Sequence, residues 1–455
     1  MTDDLTHGPI RKSLLQMAIP MSVGLFFNTM FNVVDTYYAG HLGTAALAGL
    51  SASFSVFFIL TALVAGISTG LSALLANALG RKDQPAVDRL TSNGLFLTLA
   101  VSFILSIVGF AFSPLLLGLL GAEGEALTAG VRYVRGVYAG TIFFGLNASL
   151  NALLSSRGIT KPYRNFLVAG FFLNLILDPL FIFGWFGLPR FGTLGVAIAT
   201  VICQLLGNLY LGYKVHRILG LNWSVLARKT FRWAEQRAIL AQGLPAALNM
   251  LTIALGVFVI NFFIYRFGND ASTAAYGAAM RIEQLALLPA LGLNAATLTL
   301  VGQNYGAGLL ARVRETYRTA LSIGLMIMTV GMVIIYPLAP TLIGLFNQDP
   351  QVVFEGVRYL RIEFLAFNAY IVLNICLSVL QGLKKPHYAI WIGVYRQIVM
   401  PLILFNLLGA VLGLGLVSVW WGIVFTTWTG AIGMLLLARR ELARIEGAEA
   451  GQAIR

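Results

Sequence analysis

The stretch "PLLLGLLGAEGEALTAGVRYVR" (114–135) is answered by "PTLIGLFNQDPQVVFEGVRYLR" (340–361), in one register with prolines included. The offset, from 114 to 340, is close to half of the 455-residue chain. Working outward, "LLANALGRKD" (74–83) parallels "LVGQNYGAGL" (300–309), and "AIPMS" (18–22) corresponds to "GLPAA" (243–247). "TKPY" (160–163) answers "KKPHY" (384–388), and "DPLFIF" (178–183) answers "MPLILF" (400–405). The chain reads as two copies of one unit.

Composition says what kind of unit. The chain is 58% hydrophobic and 11% charged, whereas soluble domains carry about 25% charged residues. Twelve long apolar runs cover roughly 13–39, 47–79, 92–120, 127–156, 163–186, 193–218, 238–266, 274–305, 316–346, 353–382, 387–412 and 414–438. Each is long enough for a transmembrane helix, which needs about 20 residues, and too long for a barrel strand of about ten. The expectation is an all-α integral membrane protein with twelve transmembrane helices in two pseudo-symmetric six-helix bundles. Six spans per half is an even number, so the second copy re-enters in the same sense, as in parallel-repeat transporters with a cleft between the halves. The expected division is an N-lobe (1–218), a cytoplasmic linker (219–237) rich in Lys, Arg and Trp, a C-lobe (238–440) and a tail (441–455).

The net charge of +13 could suggest nucleic acid, but the basic residues sort by side. Arg190, Arg266, Arg132, Arg135, Arg358 and Arg361 fall on one side, and Arg281 and Arg396 fall within apolar runs. The remaining Lys and Arg lie on the other side. This positive-inside pattern puts both termini in the cytoplasm and favours a multi-pass protein of a bacterial or archaeal plasma membrane. No nucleic-acid partner is expected, and the lipid bilayer is. Cys203 and Cys376 lie inside predicted helices, so no disulfide framework is implied. The four histidines show no metal-ligand spacing. The first apolar run is too long for a signal-peptide core and reads as a retained helix.

Acids within spans are the candidates for chemistry, because such residues are expensive in lipid and usually face a cavity. Asp35, Asp178 and Glu283 are read as such. At 1.5 Å per residue, Asp35, Asp178 and Thr200 all lie roughly 6–12 Å below the outer surface. Asn174 precedes Asp178 by four residues and so shares its helix face. Pro179 frees a backbone carbonyl one turn earlier. The group forms an oxygen-rich pocket suited to a proton or a small hard cation such as Na⁺. Met400 stands where the repeat would place a second Asp178, and "VFVINFF" (257–263) holds no counterpart of Asp35. The chemistry thus reads as confined to the N-terminal half. Separate structural polar groups are the alternative. Glu283 is two residues from Arg281, too close in sequence to face it on a helix, and either snorkels or lines the cavity. Tyr133 has a twin in Tyr359, which favours packing. Asn147 and Asn151 either line a cavity or join helices.

These residues resemble the multidrug and toxic compound extrusion (MATE) family over nearly the whole chain. "VVDTYYAGHLGTAALAGLS" (33–51), "LPALGLNAATLTLVGQNYGAG" (288–308) and "NLILDPLFIFG" (174–184) carry the resemblance. It implies twelve helices in two lobes and export of cationic and amphipathic drugs in exchange for protons or Na⁺. The prokaryotic DinF-like branch is the most similar, and by that resemblance Asp35, Asn174, Asp178 and Thr200 form the N-lobe cation site. The NorM-like branch relies on a glutamate in span 7, and here that span, "LPAALNMLTIALGVFVINFF" (244–263), holds no acid. The reading is a secondary active multidrug exporter, not an enzyme, with no cofactor beyond its coupling ion and a monomer expected. The absence of a Walker A motif argues against ATP as the power source. Two carboxylates brought close in a membrane interior resist ionising together, which lets Asp35 load a proton outside and release it inside. A flippase for lipid-linked saccharides and an intramembrane aspartic protease are the rivals.

Overall fold

The computed structural model describes residues 5–220 and 231–453, with side chains through Gly447. Residues 221–230 of the expected linker, residues 1–4 of the expected N-lobe and residues 454–455 of the expected tail lie outside them.

Among the described residues all regular structure is helical. Seven helices come first: α1 (Ile10–Gly40), α2 (Thr44–Gly80), α3 (Gln84–Leu119), α4 (Gly124–Ala139), α5 (Thr141–Ser155), α6 (Lys161–Phe183) and α7 (Thr193–Leu219). Six follow: α8 (Trp233–Phe267), α9 (Asp270–Gly306), α10 (Leu310–Gly344), α11 (Pro350–Gly382), α12 (His387–Val411) and α13 (Val417–Ala453). Polar turns set their ends. Asp83 caps α3 by accepting from Ala86 N at 3.0 Å, and Asp349 caps α11 by accepting from Gln351 N at 2.8 Å. A proline stands in the first turn of each, where its missing N–H costs nothing.

Eleven of these helices are long and apolar enough to span a membrane, and α4 with α5 makes a twelfth bent by 49°. The sequence leads one to expect a single run over 127–156. It breaks at Gly140 because α7 presses there: a Cβ on Gly140 would lie 2.4 Å from Val201 Cγ2. Thr141 Oγ1 donates to Tyr138 O at 2.8 Å and secures the bend. The run at 387–412 is also irregular, with π-helical turns over Tyr395–Val399 and Phe405–Val411. Phe103, Ile107, Leu209, Val333 and Ile334 are more than half exposed. Such surface suits lipid tails, not water.

The contacts resolve into two compact units. One holds Val23–Ala247, and the other holds the chain up to Ser22 together with Leu248 onward. Each division falls inside a long helix, α1 and α8. The duplication reaches the packing within each unit. In the first, Gly70 of α2 meets the backbone of α8, where a Cβ would lie 2.5 Å from Gly243 N, and Gly66 one turn earlier does the same. In the second, Gly292 of α9, at the repeat position of Gly66, meets α1, where a Cβ would lie 2.6 Å from Ala18 O. Without a hydrophobic drive between helices in lipid, small residues that admit close approach supply the packing energy. In the second unit, α11 is the most deeply buried helix, and Tyr359 packs 4.7 Å from Trp420 and 5.4 Å from Tyr276.

Candidate functional site

Three helices of the first unit bring polar groups to one buried point. Asp35 of α1 is 1% exposed, and Asn174 and Asp178 of α6 are fully buried. Asn174 Nδ2 donates to Asp35 Oδ1 at 2.7 Å and to Asp178 Oδ2 at 3.0 Å, so one amide serves both carboxyl groups. The four-residue spacing on α6 accounts for the second contact, and α1 supplies the first. Thr200 of α7 is also buried, but its role is weaker than expected. Its hydroxyl lies 2.9 Å from Val196 O on its own helix and 3.5 Å from Asp35 Oδ2. The shorter contact holds the proton, since hydrogen bonds weaken steeply with length and Thr back-bonds within helices.

Pro179 deprives Leu175 O of its usual helical donor. That carbonyl does not face the carboxyl pair. The Tyr38 hydroxyl donates to it at 3.3 Å. Tyr38 lies three residues after Asp35 on α1, so α1 holds α6 at two adjacent points. Asn174 Oδ1 and Asp178 Oδ1 remain buried with no donor among the described residues. Among the described residues, neither carboxylate forms an ion pair.

The other candidates fall elsewhere. Asn147 joins helices, its Nδ2 donating to Gln204 O at 2.8 Å and Gln204 Oε1 at 2.7 Å. Asn151 Oδ1 is buried without a partner. Tyr133 is 2% exposed and close enough to Asp35 and Asp178 to interact with both electrostatically.

Glu283 belongs to the second unit, where it completes a cluster that the sequence reading missed. Tyr359 donates its hydroxyl to Glu283 Oε2 at 3.2 Å, and Tyr370 donates to Glu363 Oε1 at 2.9 Å. Glu363 of α11 is fully buried, and its Oε2 has no donor. Arg396, within a π-helical turn of α12, stacks 5.3 Å over the Tyr370 ring. Such turns often mark functional positions. Buried acids are therefore present in both units. The signal for Glu363 was present: it stands four residues after Tyr359, two residues beyond the repeat that opens the sequence. Its repeat counterpart, Val137, is apolar, so the duplication does not mark the position. Arg281 points apart from Glu283, as the two-residue spacing requires, and lines a separate pocket with Asn347.

Comparison with known proteins identifies the family. The MatE family model matches residues 20–180 and 245–408, one segment in each half. The chain is 29% identical over 350 residues to the "Probable multidrug resistance protein NorM" of Thermotoga maritima, covering 76% of this chain and 74% of that one. It is 30% identical over 401 residues to the "FAD transporter" of Shewanella oneidensis, covering 88% of each. Among solved structures, an outward-facing multidrug resistance MATE family transporter of the MOP superfamily superposes with a TM-score of 0.91 at 25% identity, over 97% of this chain and 98% of that one. With both halves matched and nearly the whole length shared, the chain belongs to the MatE family, whose members are membrane transporters rather than enzymes.

Proposed function

We propose that the protein exports cationic and amphipathic small molecules from a bacterial cell by antiport with protons, and that the coupling proton is held between Asp35 and Asp178. Relatives named for multidrug resistance support the export direction and substrate class. The observation that carries the proton site is the shared amide: Asn174 Nδ2 bridges two buried carboxyl groups that have no counter-charge. A buried carboxylate without a cation is strongly disfavoured. A proton taken up by the pair removes charge and lets one oxygen become a donor. When it leaves, the pair must reorganise or gain water, and that difference is what couples protonation to which side of the membrane the protein opens.

The positive-inside charge pattern supports placing both termini in the cytoplasm. Protons would then enter the site from an acidic exterior. The chain is proposed to act as a monomer, with no cofactor. In proteoliposomes, Asp35→Asn should abolish proton movement driven by substrate while leaving the protein folded in detergent. Unchanged antiport in that variant would refute the assignment.

A flavin nucleotide is the second substrate reading, favoured by 30% identity to the FAD transporter. Parallel uptake assays in everted vesicles with ethidium and with FAD distinguish the two.

A further inference from the structure

Helices α6 and α7 leave a groove between them in the first unit, with a volume of about 400 Å³. Asn165 and Tyr210 line one end, and Leu173 and Cys203 line the other. Two glycines shape it. A Cβ on Gly207 would lie 2.2 Å from Phe166 Cε2, so the missing side chain seats that ring, and Gly170 faces open space. Leu206 beside them is 44% exposed. The lining is apolar along its length, and its one marked polarity is at the Asn165 end.

There the cations gather. Arg164 donates from Nε and Nη2 to Asn165 Oδ1 at 3.0 and 2.7 Å. Lys214 Nζ lies 5.6 Å from the Tyr210 ring. Among the described residues, neither cation forms an ion pair. From Asn165 to Leu173, α6 rises about 12 Å at its standard pitch. That is close to the ~15 Å of hydrocarbon in one leaflet. A slot of this length, apolar inside and doubly basic at its mouth, has the polarity of an anionic amphiphile.

The geometry points to a resident anionic phospholipid, with one acyl chain in the α6–α7 groove and its phosphate between Arg164 and Lys214. The far end of the groove backs onto the carboxyl pair. Gly170 lies one turn before Asn174 on α6, and Cys203 lies three residues after Thr200 on α7. Cys203 Sγ reaches Gly170 O at 3.8 Å and closes the floor between them. The bound chain therefore covers the rear of the acid site with hydrocarbon.

Native mass spectrometry of the full chain, released from detergent after titration with defined lipids, tests this. One phosphatidylglycerol per chain should survive release, with phosphatidylethanolamine held at least about tenfold more weakly. Glycerol phosphate should not displace the lipid. Gly170→Leu fills the open groove, and Arg164→Gln with Lys214→Gln empties its mouth. Each should weaken retention by at least about tenfold, the loss of a buried chain or of its headgroup contacts. An added Cβ at Gly170 meets nothing within 4 Å and loss of the glycine favours the helix, so the lipid-free thermal midpoint should not fall below the parent's. Parent-like retention in Gly170→Leu would remove the lipid from this groove. Equal retention of phosphatidylethanolamine would overturn the anionic headgroup, and displacement by glycerol phosphate would overturn the acyl chain's part.

Discussion

Asp35 and Asp178 come from different helices and meet through the two hydrogens of a single amide, that of Asn174, at 2.7 and 3.0 Å. Thr200 spends its proton on its own helix, and the two carboxyl groups lie within hydrogen-bonding reach of one another, so a single proton can join them directly. The amide is the neutral donor that contacts both acids at once, so both acids would feel its loss.

Removing that amide should expose the dependence. Asn174→Ala should eliminate proton-coupled transport and destabilise the protein by about 1–3 kcal/mol, the cost of leaving a buried acceptor unpaired. The thermal midpoint in detergent is the readout. Adding Asp35→Asn to that variant removes one of the two stranded acids, so the double variant should lose less than the sum of the singles. Strict additivity would mean that the amide and Asp35 do not interact in the folded protein.

The direction in which the amide faces also bears on the coupling ion. Asn174 turns its NH₂ toward both carboxyl groups and leaves Oδ1 without a donor. A proton on the pair fits that polarity. Na⁺ needs several oxygen ligands, and with its NH₂ turned to the carboxyl groups the amide presents hydrogens there instead of its oxygen. Efflux should accordingly rise when the exterior is made more acid than the interior, and vanish when the two are equal. A Na⁺ gradient imposed at fixed pH should leave the rate unchanged. Transport driven by Na⁺ alone would sink this reading.

The bend in the fourth span gives a stability test free of the chemistry. Gly140→Leu would drive a side chain into Val201, whose Cγ2 already lies 2.4 Å from the position of an added Cβ. Overpacking of this kind costs about 1–3 kcal/mol, which should appear as a lowered thermal midpoint. Val201→Ala makes room and should recover part of the loss. A stable Gly140→Leu with no recovery in the double variant would place the cause of the bend elsewhere.

Much of this was legible in the chain. Length and apolarity gave the helices, and a four-residue spacing put Asn174 and Asp178 on one face. The repeat gave two copies of one unit, and Gly66 and Gly292, at matching positions, make close helix contacts in their separate units. What was not legible needed neighbours. Gly140 looks like any glycine in an apolar run until Val201 presses on it. The carbonyl that Pro179 frees reads as an ion ligand until the Tyr38 hydroxyl is seen to take it. Glu363 was hidden by its context, five residues beyond an arginine that suggested a helix end, whereas its burial depends on α9, α11 and α12 folding together.

Glu363 yields the last prediction. It is fully buried, accepts from Tyr370 at 2.9 Å, and shares its surroundings with Glu283, Tyr359 and Arg396. Two acids near one arginine leave at most one negative charge uncompensated, whereas Asp35 and Asp178 have no such partner. The two clusters thus differ in having or lacking a cation among their neighbours. If coupling lies with Asp35 and Asp178, Glu363→Gln should retain substrate-driven proton movement in proteoliposomes. Its cost should be structural instead, about 1–3 kcal/mol from the disturbed hydrogen bond. Tyr370→Phe should cost a similar amount, and the double variant should fall short of the sum because both break the same contact. Should Glu363→Gln stop proton movement while remaining folded, the coupling site would belong to the second unit, and Asp35→Asn would then be expected to spare it.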